Sequence, residues 1–150
     1  MTLAEQIDHD LKEAMKARDA ARLGTLRMLK SALKYAAIEK GGADAVVDDE
    51  TAVTVIRKQI KQREDAAEGF EKGGRPDSAA NERAEIEVMT VYLPAALSAE
   101  ELAAIVKEAI TESGATGKAQ MGAVMKLAQV KAAGRADGKS LSAEVQKHLA

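Results

Sequence analysis

The chain has 150 residues, of which 46% are apolar and 31% charged, with a formal net charge of −2. That length suits one domain or two small subdomains with a real core, and the near-balanced charge argues against a generally basic nucleic-acid binder. The absence of cysteine excludes a disulfide framework, a cysteine nucleophile and a thiolate metal site. With no tryptophan and only Tyr35, Phe70 and Tyr92 carrying rings, an aromatic platform for stacking single-stranded bases is hard to build.

Only two prolines interrupt a text rich in Ala, Leu, Glu, Lys and Arg, so the fold class expected is all-α. Leu3, Ile7, Leu11, Ala14 and Met15 fall at helical spacing and predict a first helix over about 3–17, capped by Thr2. Asp19 is placed to cap a second helix. Its period of Leu23, Leu26, Leu29 or Lys30, Leu33, Ala36 and Ala37 runs to about Lys40, where Gly41-Gly42 stops it. A loop over 41–48 leads to a third helix over about 49–72, started by Asp48 or Asp49 and ended by Gly73-Gly74. Pro76 opens the fourth helix, where its missing N–H costs nothing, and the helix runs to about Tyr92.

Pro94 drives Leu93 out of the helical region, so the subdomain boundary is drawn there: a four-helix part over 1–93, then a three-helix bundle over 98–150. Ser98-Ala-Glu-Glu101 reads as a capping box for the fifth helix, which Gly114 closes. The sixth helix is expected over about 118–131. A loop over 134–139 follows, then a seventh helix over about 140–149. No apolar run approaches the roughly 20 residues of a membrane span. Residues 1–8 alternate apolar and acidic groups rather than forming a signal-peptide core, which makes the cytoplasm the default expectation.

No catalytic constellation emerges. Gly134-Arg-Ala-Asp-Gly138-Lys139-Ser140 resembles a phosphate-binding P-loop but is one residue short between its glycines and follows a helix, not a strand. His9 has Glu5 one turn before it and reads as a surface ion pair. His148 lies in the last turn, where a cation favours the helix dipole. There is no paired-histidine zinc spacing and no serine in a nucleophile elbow. Neither catalytic nor metal residues are assigned, and no cofactor is expected.

Charge varies along the chain. Residues 1–40 carry eight basic and six acidic groups, residues 41–97 seven and twelve, and residues 98–150 seven and six. Within the last stretch, 117–150 hold six basic groups against Asp137 and Glu144, a local +4. Three basic clusters stand out: Arg27, Lys30 and Lys34; Arg57, Lys58, Lys61 and Arg63; and Lys131, Arg135 and Lys139. The first two read as solvated faces, with Lys61 expected to pair with Glu64 or Asp65. The third, with its charge excess, reads equally as surface ion pairs or as cations placed to straddle a phosphate backbone.

Four stretches in order resemble the YqeY-like (GatB/YqeY) family. They are Leu23-Gly-Thr-Leu-Arg27-Met-Leu-Lys30-Ser-Ala-Leu33, Ile60-Lys-Gln-Arg63-Glu-Asp65, Glu87-Val-Met-Thr-Val-Tyr92-Leu-Pro94 and Gly134-Arg-Ala-Asp-Gly-Lys139. The region from Gly122 to Leu149 resembles the tail domain of the B subunit of glutamyl-tRNA(Gln)/aspartyl-tRNA(Asn) amidotransferase. The chain departs from the family pattern at 115–119, which lacks a leading Pro and Asp, and at 126–133, which lacks a proline.

The resemblance implies a non-catalytic module associated with tRNA or another RNA. Lys131, Arg135 and Lys139 are its candidate contacts, with Lys126 and Lys118 behind them. Alanine at Arg135 and Lys139 is expected to weaken RNA binding without lowering the melting temperature. Two alternatives accompany this reading. One is a protein–protein adaptor for an amidotransferase or aminoacyl-tRNA synthetase complex. The other, implied by the family label alone, is a carbon–nitrogen ligase using glutamine as amide donor. No membrane partner is expected.

Overall fold

The computed structural model describes residues 1–149. Among them are seven α-helices and no strand: α1 (Leu3–Lys16), α2 (Ala20–Gly41), α3 (Asp49–Lys72), α4 (Pro76–Thr90), α5 (Ala99–Ser113), α6 (Met121–Ala132) and α7 (Gly138–His148). A short 3-10 turn, Lys118–Gln120, precedes α6. The chain divides into two compact units, Met1–Leu93 and a second beginning at Pro94.

In the first unit, helical spacing gathers Ile7, Leu11 and Ala14 on α1 and Leu26, Leu29, Leu33 and Ala37 on α2. They bury against Ala52 and Ile56 of α3 and Met89 of α4. Each fully buried Leu or Ile contributes about 1.5–3 kcal/mol relative to leaving it exposed. The caps behave as their residue types require. Thr2 and Glu5 form a reciprocal capping box, Asp19 accepts from the Arg22 N–H at 3.1 Å, and Asp48 accepts from the Thr51 N–H at 2.7 Å. The second helix outlasts its predicted end: Gly41 is still helical and Gly42, at φ 89°, closes it. The fourth helix stops at Thr90, two residues early.

Tyr92 explains the end of α4. It is 3% exposed, and its hydroxyl donates to Asp10 Oδ2 at 2.6 Å, across 82 positions of sequence. Arg22 stands 3.8 Å from the same carboxylate. Burial, and then the bond to Asp10, push the Tyr92 phenol well above its ordinary range. The ring thus pins the turn that follows α4 to α1.

The distal halves of α3 and α4 form a two-helix arm. Between residues 61 and 88 only Ala67 and Ala79 are buried, and these small side chains let the two helices pack closely. Arg83 Nη1 meets Glu71 Oε1 at 2.6 Å. Arg63, 16% exposed at its side chain, donates to Glu85 at 2.8 Å and to Gln59 Oε1 at 2.9 Å. At the tip, Gly74 takes φ 73°, and the Arg75 N–H donates to the Phe70 carbonyl at 2.7 Å. This is the αL helix stop that glycine accommodates without strain.

The second unit packs α5, α6 and α7 around Val106, Ala109, Val124, Ala128, Ala132, Leu141, Val145 and Leu149. Ser98 caps α5, accepting from the Glu101 N–H at 3.1 Å. Glu101 does not return the bond of a capping box but turns to Arg135 at 3.1 Å. Gly114 closes α5 at φ 70°. The expected start of the sixth helix at Lys118 is the 3-10 turn, held by Gln120, whose Oε1 accepts from the N–H groups of Thr116 (2.7 Å) and Gly117 (3.1 Å). That amide side chain caps a segment without the Pro and Asp of the family pattern. The seventh helix begins at Gly138, two residues early, because Asp137 accepts from the Ser140 N–H at 2.6 Å.

Candidate nucleic-acid interface

The basic stretch of the second unit has a simple origin in sequence. Residues 113–136 contain no Asp or Glu, yet hold Lys118, Lys126, Lys131 and Arg135. The fold then divides these cations into two kinds.

Lys131 and Arg135 are engaged. The Lys131 ammonium lies between two carboxylates of α5, 3.0 Å from Glu108 Oε1 and 2.8 Å from Glu112 Oε1, with its side chain 20% exposed. Hydrogen bonds to Glu112 and then Glu108 raise its pKa. Arg135 Nε donates to the Ala95 carbonyl at 2.9 Å and Nη2 to Glu101 at 3.1 Å. Its backbone carbonyl also accepts from the Leu97 N–H at 3.0 Å. Arg135 therefore fastens the segment leading into α5 to the turn after α6. That turn needs fastening, because Ala133 (φ 49°) and Gly134 (φ 79°) are both left-handed. The expectation that Arg135 is removable without a stability cost does not fit these contacts.

Lys118, Lys126 and Lys139 are different. All three are exposed, and none has an ion-pair partner among the described residues. Lys118 sits on the 3-10 turn and Lys126 on the exposed face of α6, with Gly122, Gln129 and Val130. Lys139 stands in the first turn of α7, where the helix dipole disfavours a cation. The P-loop-like stretch does not cradle an anion with its amides, since the N–H groups of Arg135 and Ser140 are bonded to Ala132 and Asp137.

The other sequence candidates scatter. Lys30 pairs with Asp8 at 2.5 Å, leaving Arg27 and Lys34 exposed on α2 with no ion-pair partner among the described residues. Arg63 points inward to Glu85, and Lys61 makes no ion pair with Glu64 or Asp65. Glu5 turns to the Thr2 N–H at 2.8 Å rather than to His9. His148 is bonded to Glu144 at 3.0 Å, and this bond holds the Glu144 carboxyl below its ordinary pKa. Among the described residues no group of His, Asp and Glu is disposed to hold a metal ion, and no helix is long and apolar enough to cross a membrane. Sequence reasoning missed the anchors Tyr92–Asp10 and Arg63–Glu85. The one available signal was Tyr92 itself, a lone polar-tipped ring where the helical pattern breaks.

Fold and surface together define a two-unit, all-helical protein with a locally basic C-terminal unit. The family described as Yqey-like protein matches residues 4–149, and the chain belongs to it. Three relatives bear the name "Altered inheritance of mitochondria protein 41, mitochondrial". The one from Eremothecium gossypii is 34% identical over 65% of this chain and 54% of its own length. That from Kluyveromyces lactis is 35% identical over 71% and 57%. That from Pyrenophora tritici-repentis is 28% identical over 95% and 78%. The chain spans about half the length of the first of these relatives. Their names overturn the cytoplasmic expectation, which rested only on the lack of an apolar leader in residues 1–8.

Proposed function

We propose that this protein is an accessory module that binds tRNA or a similarly folded RNA through the phosphate contacts of its C-terminal unit. The observation that carries the reading is the acid-free run 113–136, with Lys118 and Lys126 exposed and without an ion-pair partner among the described residues, and with Lys139 following on α7. The sequence resemblance of the region from Gly122 to Leu149 to the tail of the amidotransferase B subunit supports it. Phosphate contacts and helix shape suffice for such binding, and the three rings of the chain are too few for base stacking. The order of the contacts changes from the sequence reading. Lys118, Lys126 and Lys139 lead. Lys131 and Arg135 follow, because a phosphate must first displace Glu108, Glu112 or Glu101 from them.

The test is binding of the full chain to total tRNA across a salt series. Three phosphate contacts predict a slope of log affinity against log salt of about −2 to −3. Replacing Lys118, Lys126 and Lys139 by alanine should flatten that slope to near zero and leave the melting temperature unchanged. Absence of binding at low salt, or a slope indifferent to the triple substitution, overturns the reading.

A further inference from the structure

The outer face of α2 belongs to the first unit and plays no part in the RNA reading. Its residues recur at helical spacing: Ala20, Gly24, Arg27, Ser31, Lys34, Tyr35 and Ile38. Tyr35 is 67% exposed and Ile38 43%. No acidic residue lies on this line, and Glu39 flanks it one turn beyond Tyr35. Arg27 and Lys34 have no ion-pair partner among the described residues, and beside them Lys12 and Lys30 share the single carboxylate of Asp8. The local field is therefore positive.

Gly24 keeps the middle of this face low. A glycine inside a helix costs stability but lets another backbone come close. Nothing in this chain lies within 4 Å of a Cβ built on Gly24, so no contact within the molecule requires it. By helical spacing the small residues Gly24 and Ser31 lie between the two cations on one side and Tyr35 on the other.

We propose that this face docks an acidic amphipathic helix of a partner protein. The small residues admit a helix at close range, Tyr35 and Ile38 offer it apolar contact, and Arg27 and Lys34 meet its carboxylates. The two cations are seven residues apart, about 10 Å along the axis, which matches acidic side chains two turns apart on the incoming helix. A second copy of this chain fits worse, because two such faces would set Arg27 and Lys34 against their own kind. A nucleic acid uses the charge but has no use for Gly24 or Ile38.

The test places a photo-crosslinking benzoylphenylalanine at position 35 of the full chain, where an exposed aromatic ring already stands. The probes are an acidic amphipathic peptide of about 20 residues, with Ala and Leu on one stripe and Glu on its flanks, and a scrambled peptide of equal composition. A polyuridine oligonucleotide serves as competitor. The amphipathic peptide should crosslink, and in fluorescence anisotropy bind about tenfold or more tightly than the scramble. Gly24→Leu, which fills open space, should weaken it about tenfold with the melting temperature retained, as should Arg27→Glu with Lys34→Glu. Alanine at Lys118, Lys126 and Lys139 should leave it unchanged, which separates this face from the RNA reading. Equal binding of both peptides, crosslinking to the oligonucleotide or to a second chain, no binding, or indifference to Gly24→Leu each overturns the proposal.

Discussion

Replacing Tyr92 by phenylalanine removes one oxygen atom and isolates the contact that ties α4 to α1. The bond is short, 2.6 Å, and its acceptor is a carboxylate, so it belongs with charge-assisted hydrogen bonds, which contribute about 1.5–3 kcal/mol. Two features place this case at the lower end. The Asp10 side chain is 21% exposed, so water can replace the lost hydroxyl, and Arg22 at 3.8 Å still faces the carboxylate. The ring keeps its burial, so no cavity opens. The expected loss is about 1.5 kcal/mol, or about 6–12 °C in the melting of a unit of this size.

The assay is thermal unfolding of the full chain by circular dichroism, with amide exchange assigning the loss to residues 1–93. A double-mutant cycle with Asp10→Ala should return a coupling energy of about 1 kcal/mol or more. A shift below about 2 °C, a loss confined to the second unit, or additive single effects would show that the oxygen atoms are close without holding the helices together.

Three further outcomes follow from the same contacts. Because the folded state raises the Tyr92 pKa above the unfolded value of about 10, its contribution to stability is complete below pH 10 and is lost as pH rises beyond it. In Tyr35→Phe, tyrosinate absorbance should therefore emerge only with alkaline unfolding, and a phenolate forming near pH 10 with the helices intact would contradict the buried bond. Ala133→Gly relieves a left-handed alanine at φ 49° and should stabilise the second unit by about 1 kcal/mol in urea titration; a destabilised variant refutes the strain argument. Arg135→Ala removes the bonds to Ala95 and to Glu101, both partly solvated, and should lower stability by about 0.5–1 kcal/mol. An unchanged melting temperature would return Arg135 to the set of freely disposable surface cations.

The helices were legible in the sequence because their signals are local. Apolar residues at i, i+3 and i+7 predict the buried faces of α1 and α2, and Thr2, Asp19, Asp48, Ser98 and Gly114 all act as caps. The misplaced ends have local causes of another kind. Gly41 stays helical because Gly42 is there to turn the chain. Asp137 starts α7 early because its carboxylate reaches the Ser140 N–H. Glu101 satisfies the capping pattern in sequence, yet a guanidinium 34 positions away takes its carboxylate. Local pattern cannot weigh such a competitor.

The candidate interface shows the same division more sharply. Sequence ranks Lys131, Arg135 and Lys139 first because they cluster, and clustering is all that a linear text displays. Whether a cation is open to a phosphate depends on what lies across the helix packing. Glu108 and Glu112 are 23 and 19 positions from Lys131, on the neighbouring α5. Such neutralisation follows from the geometry of a three-helix unit, in which a basic helix set beside an acidic one satisfies its inner-edge charges first. The cations left over are the exposed ones that no carboxylate of α5 reaches among the described residues, and Lys118 and Lys126 qualify although they attract less notice in the text. The argument applies equally to α2, where Asp8 takes Lys30 and leaves Arg27 and Lys34. In both units, exposed cations without an ion-pair partner among the described residues mark faces on which substitutions should alter binding before they alter folding.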